Sequence, residues 1–245
     1  DKAGNITTKS IKVENIDKVL PVITIGDYNK AWTNKDITVT ATTSKGNLNK
    51  TSHTFTANGS FTFTATDEAG NTASKTVKID NIDKTNPTLT LTASTTTPTN
   101  KDVVITAKAS DSQSGVREVE LPDGKKVTTA ESTFTVSENG TYTFKAYDKA
   151  GNVTTKSIKV ENIDKVKPVI TIGDYNKAWT NKDITVTAST NKGTLNATSH
   201  TFTENGSFEF VATDKAGNIT TKTVTVSNID KTNPTLTLTA STTTP

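Results

Sequence analysis

The sequence predicts an all-β chain of antiparallel sandwiches in tandem, and two observations carry that prediction. A stretch of the form D-x-A-G-N, a strand-like run and N-I-D occurs four times, starting at Asp1, Asp67, Asp148 and Asp214 and ending at Asp17, Asp83, Asp164 and Asp230. Between these stretches, apolar and polar residues alternate strictly over short segments bounded by turn residues, with no run at helical spacing. Ala-Gly-Asn supplies a tight turn, because Gly and Asn tolerate positive φ. The alternating Ile/Val and Lys/Thr after it supply a strand. Each NID leads through Lys and two variable residues to a proline, Pro21, Pro87, Pro168 or Pro234, which fixes φ and stiffens the junction to the next unit.

The four starts are spaced 66, 81 and 66 residues apart, so short and long units alternate. Residues 18–83 and 165–230 are two copies of a short unit, identical at about three quarters of positions. Residues 84–164 form a long unit. Residues 1–17 match its C-terminal strand and 231–245 its N-terminal strand, so the expectation is a window on a longer array with a 147-residue period. Ends of that kind cannot bury an apolar face alone and are expected to fray in a dilute monomer.

The long unit reads as seven strands. They are TLTLTA at 88–93, DVVITAKAS at 102–110, VREVEL and KKVTT around the Pro122-Asp123-Gly124 turn, STFTVS at 132–137, GTYTFKAY at 140–147, and a last strand carrying Ile158 and Val160. The short unit keeps the first two and last three, with a polar loop at 43–50 in place of the hairpin. Its expected core is Val22, Ile23, Ile25, Ile37, Val39, Phe55, Phe61, Phe63, Val77 and Ile79. The two copies differ at Thr62/Glu209 and Thr64/Val211 while keeping Phe61/Phe208 and Phe63/Phe210, as an outer and an inner face require. The last strand slips in phase, Ile219 being odd where Val224 and Val226 are even, which predicts a β-bulge or a twist there.

Composition narrows the function. A hydrophobic fraction of 31% suits several thin cores better than one large one. With no cysteine, disulfides, thiolate nucleophiles and cysteine metal sites are excluded. The net charge of +3 is spread over interspersed lysines and acids, without the basic stripe or motif that nucleic-acid binding needs. No 18-residue apolar run is present to insert into a membrane. Gly-rich phosphate loops, zinc spacings and nucleophile elbows are absent from the sequence, so no enzyme is expected. The two histidines, His53 and His200, share strand parity with Phe55 and Phe202 and read as packed at the core boundary.

FTATDEAGN…NIDKTNP, TFKAYDKAGN…NIDKVKP and TPTNKDVVITAKASDSQSG resemble the bacterial immunoglobulin-like (Big) repeats of large surface and adhesin proteins, over essentially the whole chain. The resemblance implies tandem immunoglobulin-like antiparallel β-sandwiches in a linear array, outside the cell, at a bacterial surface or secreted. It implies a non-catalytic stalk or fibre-forming segment acting as a stiff extended spacer. Its partners would be neighbouring repeats of the same chain and, head to tail, other copies in a fibre. The alternative is an adhesive module that contacts host glycan or protein through loops and exposed aromatics.

Two sets of site residues follow. Tyr28 with Trp32, and Tyr175 with Trp179, lie in GDYNKAWTNKD between the first two strands, where they either pack over the end of the sandwich or stack on a sugar. In this strand order the D-x-A-G-N turn faces the preceding NID. Asp17 then approaches Asp67, Asp83 approaches Asp148, and Asp164 approaches Asp214, with Asp111 joining the second pair. Such oxygen clusters suit calcium, while Lys2, Lys149 and Lys215 beside the turns work against it. The Asn-Gly-Thr/Ser sequons at Asn139 and Asn205 read as turns, and no Lys–acid–Asn set for an isopeptide bond stands out.

Overall fold

The computed structural model describes residues 1–239 and 241, and among them every regular element is a strand, paired antiparallel. The described chain falls into two compact units. One comprises 1–91, 107–132 and 143–157; the other comprises 92–106, 133–142 and the residues from 158 onward.

In the first unit, β1 (Ile23–Ile25), β2 (Ile37–Thr43) and β4 (Ser52–Phe55) form one three-stranded sheet, and β3 (Asn47–Leu48), β5 (Gly59–Thr66) and β6 (Thr72–Ile79) form another. The two sheets share one core. Ile23, Ile37, Val39 and Phe55 from the first meet Phe63, Ala65, Val77 and Ile79 from the second. Alternation places these side chains inside, because neighbouring strand residues point to opposite faces. Threonines line the outer faces in hydroxyl pairs, Thr38 with Thr54 at 2.8 Å and Thr62 with Thr76 at 2.9 Å. His53 lies flat on Phe61, ring centroids 4.0 Å apart, and meets Phe55 edge-on.

The short unit differs from its sequence reading in three places. The segment expected to be a polar loop contains β3, which pairs with β5 and packs Leu48 against the core. The unit therefore has six strands, three in each sheet. Val22 points outward and is exposed, because Ile23 takes the inward position next to it. The expected bulge in the last strand is absent. β6 pairs with β5 in unbroken register from Gly59↔Ile79 to Thr66↔Thr72.

The second unit repeats this plan with β14 (Ile170–Ile172), β15 (Ile184–Thr190), β16 (Thr194–Leu195), β17 (Ser199–Phe202), β18 (Gly206–Thr213) and β19 (Ile219–Val226). Phe210, Val186, Ala212 and Val226 are fully buried or nearly so. β18 and β19 also pair without a break. The phase slip is resolved by leaving Ile219 outside, 51% exposed, while even-numbered Val224 and Val226 face the core.

Residues 84–164 carry β7 (Thr88–Ala93), β8 (Val103–Ser110), β9 (Val116–Glu120), β10 (Lys126–Val127), β11 (Glu131–Val136), β12 (Gly140–Asp148) and β13 (Val153–Val160). Their sheet orders are β11-β8-β7 and β10-β9-β12-β13. The seven predicted strands are present, though β10 keeps only two of the five residues in KKVTT. A register shift occurs between Tyr147 and Asp148, where β12 runs against β9. Residues 1–20 and 231–239 form no strand, and Ile6 and Ile11 are each 90% exposed. Ala240 and 242–245 of the 231–245 segment lie outside the described residues.

Phe63→Ala is expected to lower the unfolding free energy of its repeat by about 3–5 kcal/mol. Ile219→Thr should leave stability within about 0.5 kcal/mol. Urea titration of the two variants checks both, and a large loss for Ile219→Thr would show that its face is buried.

Candidate functional site

The motif residues meet at the junctions between repeats, and each residue of NID has its own task. The Asn81 side-chain amide donates to the carbonyls of Asn29 at 3.2 Å and Ala31 at 2.6 Å, fixing the loop after β1. Ile82 is buried and bridges Thr33 in parallel. Its backbone is clamped by Asn58, which accepts from Ile82 N at 2.8 Å and donates to Ile82 O at 2.9 Å. Asn139 and Asn205 clamp Ile163 and Ile229 in the same way, so the sequon asparagines are structural clamps rather than simple turn residues. The third residue, Asp83, reaches into the following repeat.

There the D-x-A-G-N turn receives it. Asp148 Oδ1 accepts from Gly151 N and Asn152 N, closing the turn on itself. The Asn152 amide donates to Asp148 Oδ2 at 2.7 Å and to the Asp83 carbonyl at 2.9 Å. Asn71 makes the same bridge to Asp17 at 3.1 Å, and Asn218 to Asp164 at 2.8 Å. Asp17 thus lies beside Asp67, Asp83 beside Asp148, and Asp164 beside Asp214.

What stands between the paired carboxylates differs from junction to junction. Lys45 Nζ lies 2.6 Å from Asp17 and 2.9 Å from Asp67. Lys192 Nζ lies 2.8 Å from Asp164 and 2.9 Å from Asp214. At these two junctions the cation between the carboxylates is an ammonium. The turn that delivers it depends on glycine. Gly46 has φ of 70°, and a Cβ there would sit 2.2 Å from the Thr66 carbonyl oxygen. That close approach carries Lys45 across to Asp67.

The long repeat has Ser114 where the short repeats have lysine, in Gln113-Ser114-Gly115 against Ser44-Lys45-Gly46. Ser114 N donates to Asp83 Oδ2 at 3.0 Å. Asp111 comes in as well, and carboxylate oxygens of Asp83, Asp111 and Asp148 all lie within 4.8 Å of one another. Ligand oxygens on opposite sides of one calcium ion are about 4.6–5.2 Å apart, so this donor set fits a single ion. Asp83 and Asp148 are fully buried, and none of the three has an ion-pair partner among the described residues. The lysines flagged beside the turns, Lys2, Lys149 and Lys215, make no such pair either.

Electrostatics follow the geometry. Hydrogen bonds from Asn71 and then Lys45 hold Asp67 down to about 2. Asp17 is lowered by Lys45 and by the Val19 amide, and Lys45 is raised by both carboxylates. Burial pushes Asp214 up but is outweighed by Asn218 and Lys192, and its carboxyl stays well below the usual range. In Asp83 burial is likewise outweighed, by hydrogen bonds from Ser114 and Thr85. Lys45, Asp67 and Asn71 are the residue types of an isopeptide crosslink. Here Lys45 Nζ lies between the Asp17 and Asp67 carboxylates as an ion pair.

Tyr28 and Trp32 part company. Tyr28 is half-buried against the core, with Lys30 Nζ 5.6 Å from its ring centroid. Trp32 does not cap the core. It lies two residues before Asn34, whose N–H donates to Ala150 O of the next repeat, and it is 36% exposed. Trp179, in the same local sequence, is 75% exposed.

Folded-state carboxyls lowered below about 3.8 give stability that is complete above that pH and lost as pH falls towards about 2. Melting temperature is therefore expected to fall through this window. Lys45→Met with Lys192→Met should lower it at pH 7 and narrow the gap to the parent chain below pH 4. A gap that stays the same at every pH would show that the lysines act by packing alone.

Comparison with protein-family models and with curated proteins gives no match for this chain.

Proposed function

We propose that the chain is a non-catalytic stalk segment of a bacterial surface protein, a tandem of immunoglobulin-like β-sandwiches related to the Big repeats and serving as a stiff extended spacer. The observation that carries this reading is the pinning of the linker between 18–83 and 84–164. Lys84 pairs with Asp36 of the repeat it leaves, at 2.6 Å. Thr85 N donates to Asp83 Oδ1 at 2.9 Å. The Pro87 carbonyl accepts from Thr154 Oγ1 of the repeat being entered. Lys165–Asp102 at 2.6 Å and Thr220–Pro168 at 2.6 Å repeat the arrangement at the next linker. A linker of four residues held at both ends has no random-coil regime. Strands of this length span about 25–35 Å, so three such repeats in line, with their linkers, reach about 100 Å or more.

Calcium belongs to the same proposal. Asp83, Asp111 and Asp148 would hold it, and it would supply the positive charge that Lys45 and Lys192 supply elsewhere. A second reading, an adhesive surface for host glycan, is favoured by a charged hollow beside Tyr28, lined by Asp27, Lys30 and Lys75.

Small-angle scattering of the whole chain is expected to give a maximum dimension of about 100 Å or more, and a compact globule would overturn the spacer. Calcium at about one hundred times its dissociation constant should add about 2.7 kcal/mol to the repeat that holds it. The gain should appear as a higher melting temperature than in chelator and vanish in Asp111→Asn. Equal melting in calcium and chelator rejects the ion.

A further inference from the structure

We propose that a hollow on the side of each short repeat, beside Tyr28 and again beside Tyr175, binds one acidic sugar ring, a uronate residue of a polysaccharide. This takes the adhesive reading to a chemical class and is independent of the spacer. The hollow lies between the loop after β1 and the strand β6, and in the other copy between the loop after β14 and the strand β19. Each has a volume of about 310 Å³. That is at the small end of the roughly 300–1,000 Å³ of small-molecule sites, room for one ring and not for an oligosaccharide.

Its chemistry is the same in both copies. Lys75 Nζ is anchored 3.3 Å from the Ile23 carbonyl, and Lys222 Nζ 3.4 Å from that of Ile170. Lys30 stands 5.6 Å from the Tyr28 ring centroid and Lys177 5.5 Å from that of Tyr175. Asp27 and Asp174 complete the lining. None of these lysines or aspartates has an ion-pair partner among the described residues, so each hollow presents two ammonium groups without a paired carboxylate against one aspartate. Lys78, which pairs with Asp80 at 3.8 Å, is replaced together with it by Thr225 and Ser227, so the balance in the two hollows stays the same. Two ammoniums suit a ring carboxylate, Asp27 accepts from ring hydroxyls, and the tyrosine gives an apolar wall.

The long repeat shows that the fold does not need these groups. Asn162 donates to the carbonyls of Thr95 and Thr97 as Asn81 does to those of Asn29 and Ala31, so the two loops are held alike. The long repeat nevertheless carries Ala93, Ser94 and Thr96 where the short one has Asp27, Tyr28 and Lys30. The aspartate, tyrosine and lysine are therefore surplus to holding the loop.

Affinity electrophoresis of the whole chain tests the site, with polygalacturonate, neutral dextran or polyphosphate in the gel. Retardation by polygalacturonate alone is expected. Lys30→Gln, Lys75→Gln, Lys177→Gln and Lys222→Gln together should weaken it at least about tenfold. Lys2→Gln, Lys9→Gln, Lys125→Gln and Lys167→Gln, which remove the same charge elsewhere, should leave it unchanged. Should the first variant fold poorly, Lys30→Gln with Lys177→Gln is the substitute, because neither ammonium bonds to the protein. Equal losses in the pocket and control variants, or equal retardation by polyphosphate, would reduce the effect to net charge and overturn the site. Loss in Trp32→Ala with Trp179→Ala but not in the lysine variant would leave the adhesive reading standing and overturn the hollow. No retardation of the parent chain by either polysaccharide overturns both.

Discussion

One hydrogen bond organises the junctions: the side-chain amide of Asn71, Asn152 or Asn218 donating to the backbone carbonyl of the preceding NID aspartate. The Ala-Gly-Asn turn presents the amide to the preceding repeat, and Asp67, Asp148 or Asp214 accepts from the same amide and holds it still. The turn closes by itself, as Asp1 and Asn5 show, and the junction adds the amide's second acceptor, so that a fully bonded amide specifies one geometry.

Bringing two aspartates together at each junction creates a charge problem, and the junctions differ in what stands between the carboxylates. In the short repeats an ammonium enters from a neighbouring turn and bonds to both carboxylates. In the long repeat the lysine is gone and a third carboxylate is added, while Ser114 contributes only a backbone N–H to Asp83. Close like charges in a site of low dielectric repel strongly unless a cation joins them. The junctions therefore differ in two positions: Lys45 or Lys192 stands between the aspartates of the short repeats, where the long repeat has Ser114 and adds Asp111.

Much of the fold was legible because strand periodicity is a local signal. The exchanges Thr62/Glu209 and Thr64/Val211 beside invariant phenylalanines marked the outer face correctly. The approach of each NID to the next turn was also readable, since it follows from strand order. What escaped reading was short or remote. β3 has two residues, too few to show a period. Lys45 reaches Asp67 only through the positive φ of Gly46, across 22 residues of chain, so the lysines beside the turns drew attention instead. Ile219 looked like a core residue out of phase, whereas the strand simply leaves it in water. The parting of Tyr28 from Trp32 depended on the loop that Asn81 fixes from the far end of the repeat.

The alternation of six-stranded and seven-stranded repeats bears on how such a chain folds. Tandem repeats misassemble when a strand of one finds an equivalent place in its neighbour. The two near-identical copies, 18–83 and 165–230, are never adjacent in the chain. Each is next to a repeat whose β9–β10 hairpin stands where it has only a turn and a two-residue strand, so a strand crossing to its immediate neighbour meets sheets with a different edge and a different number of partners. Sequence order thus separates the segments most able to exchange, and an emerging copy has a full unlike repeat between itself and its twin.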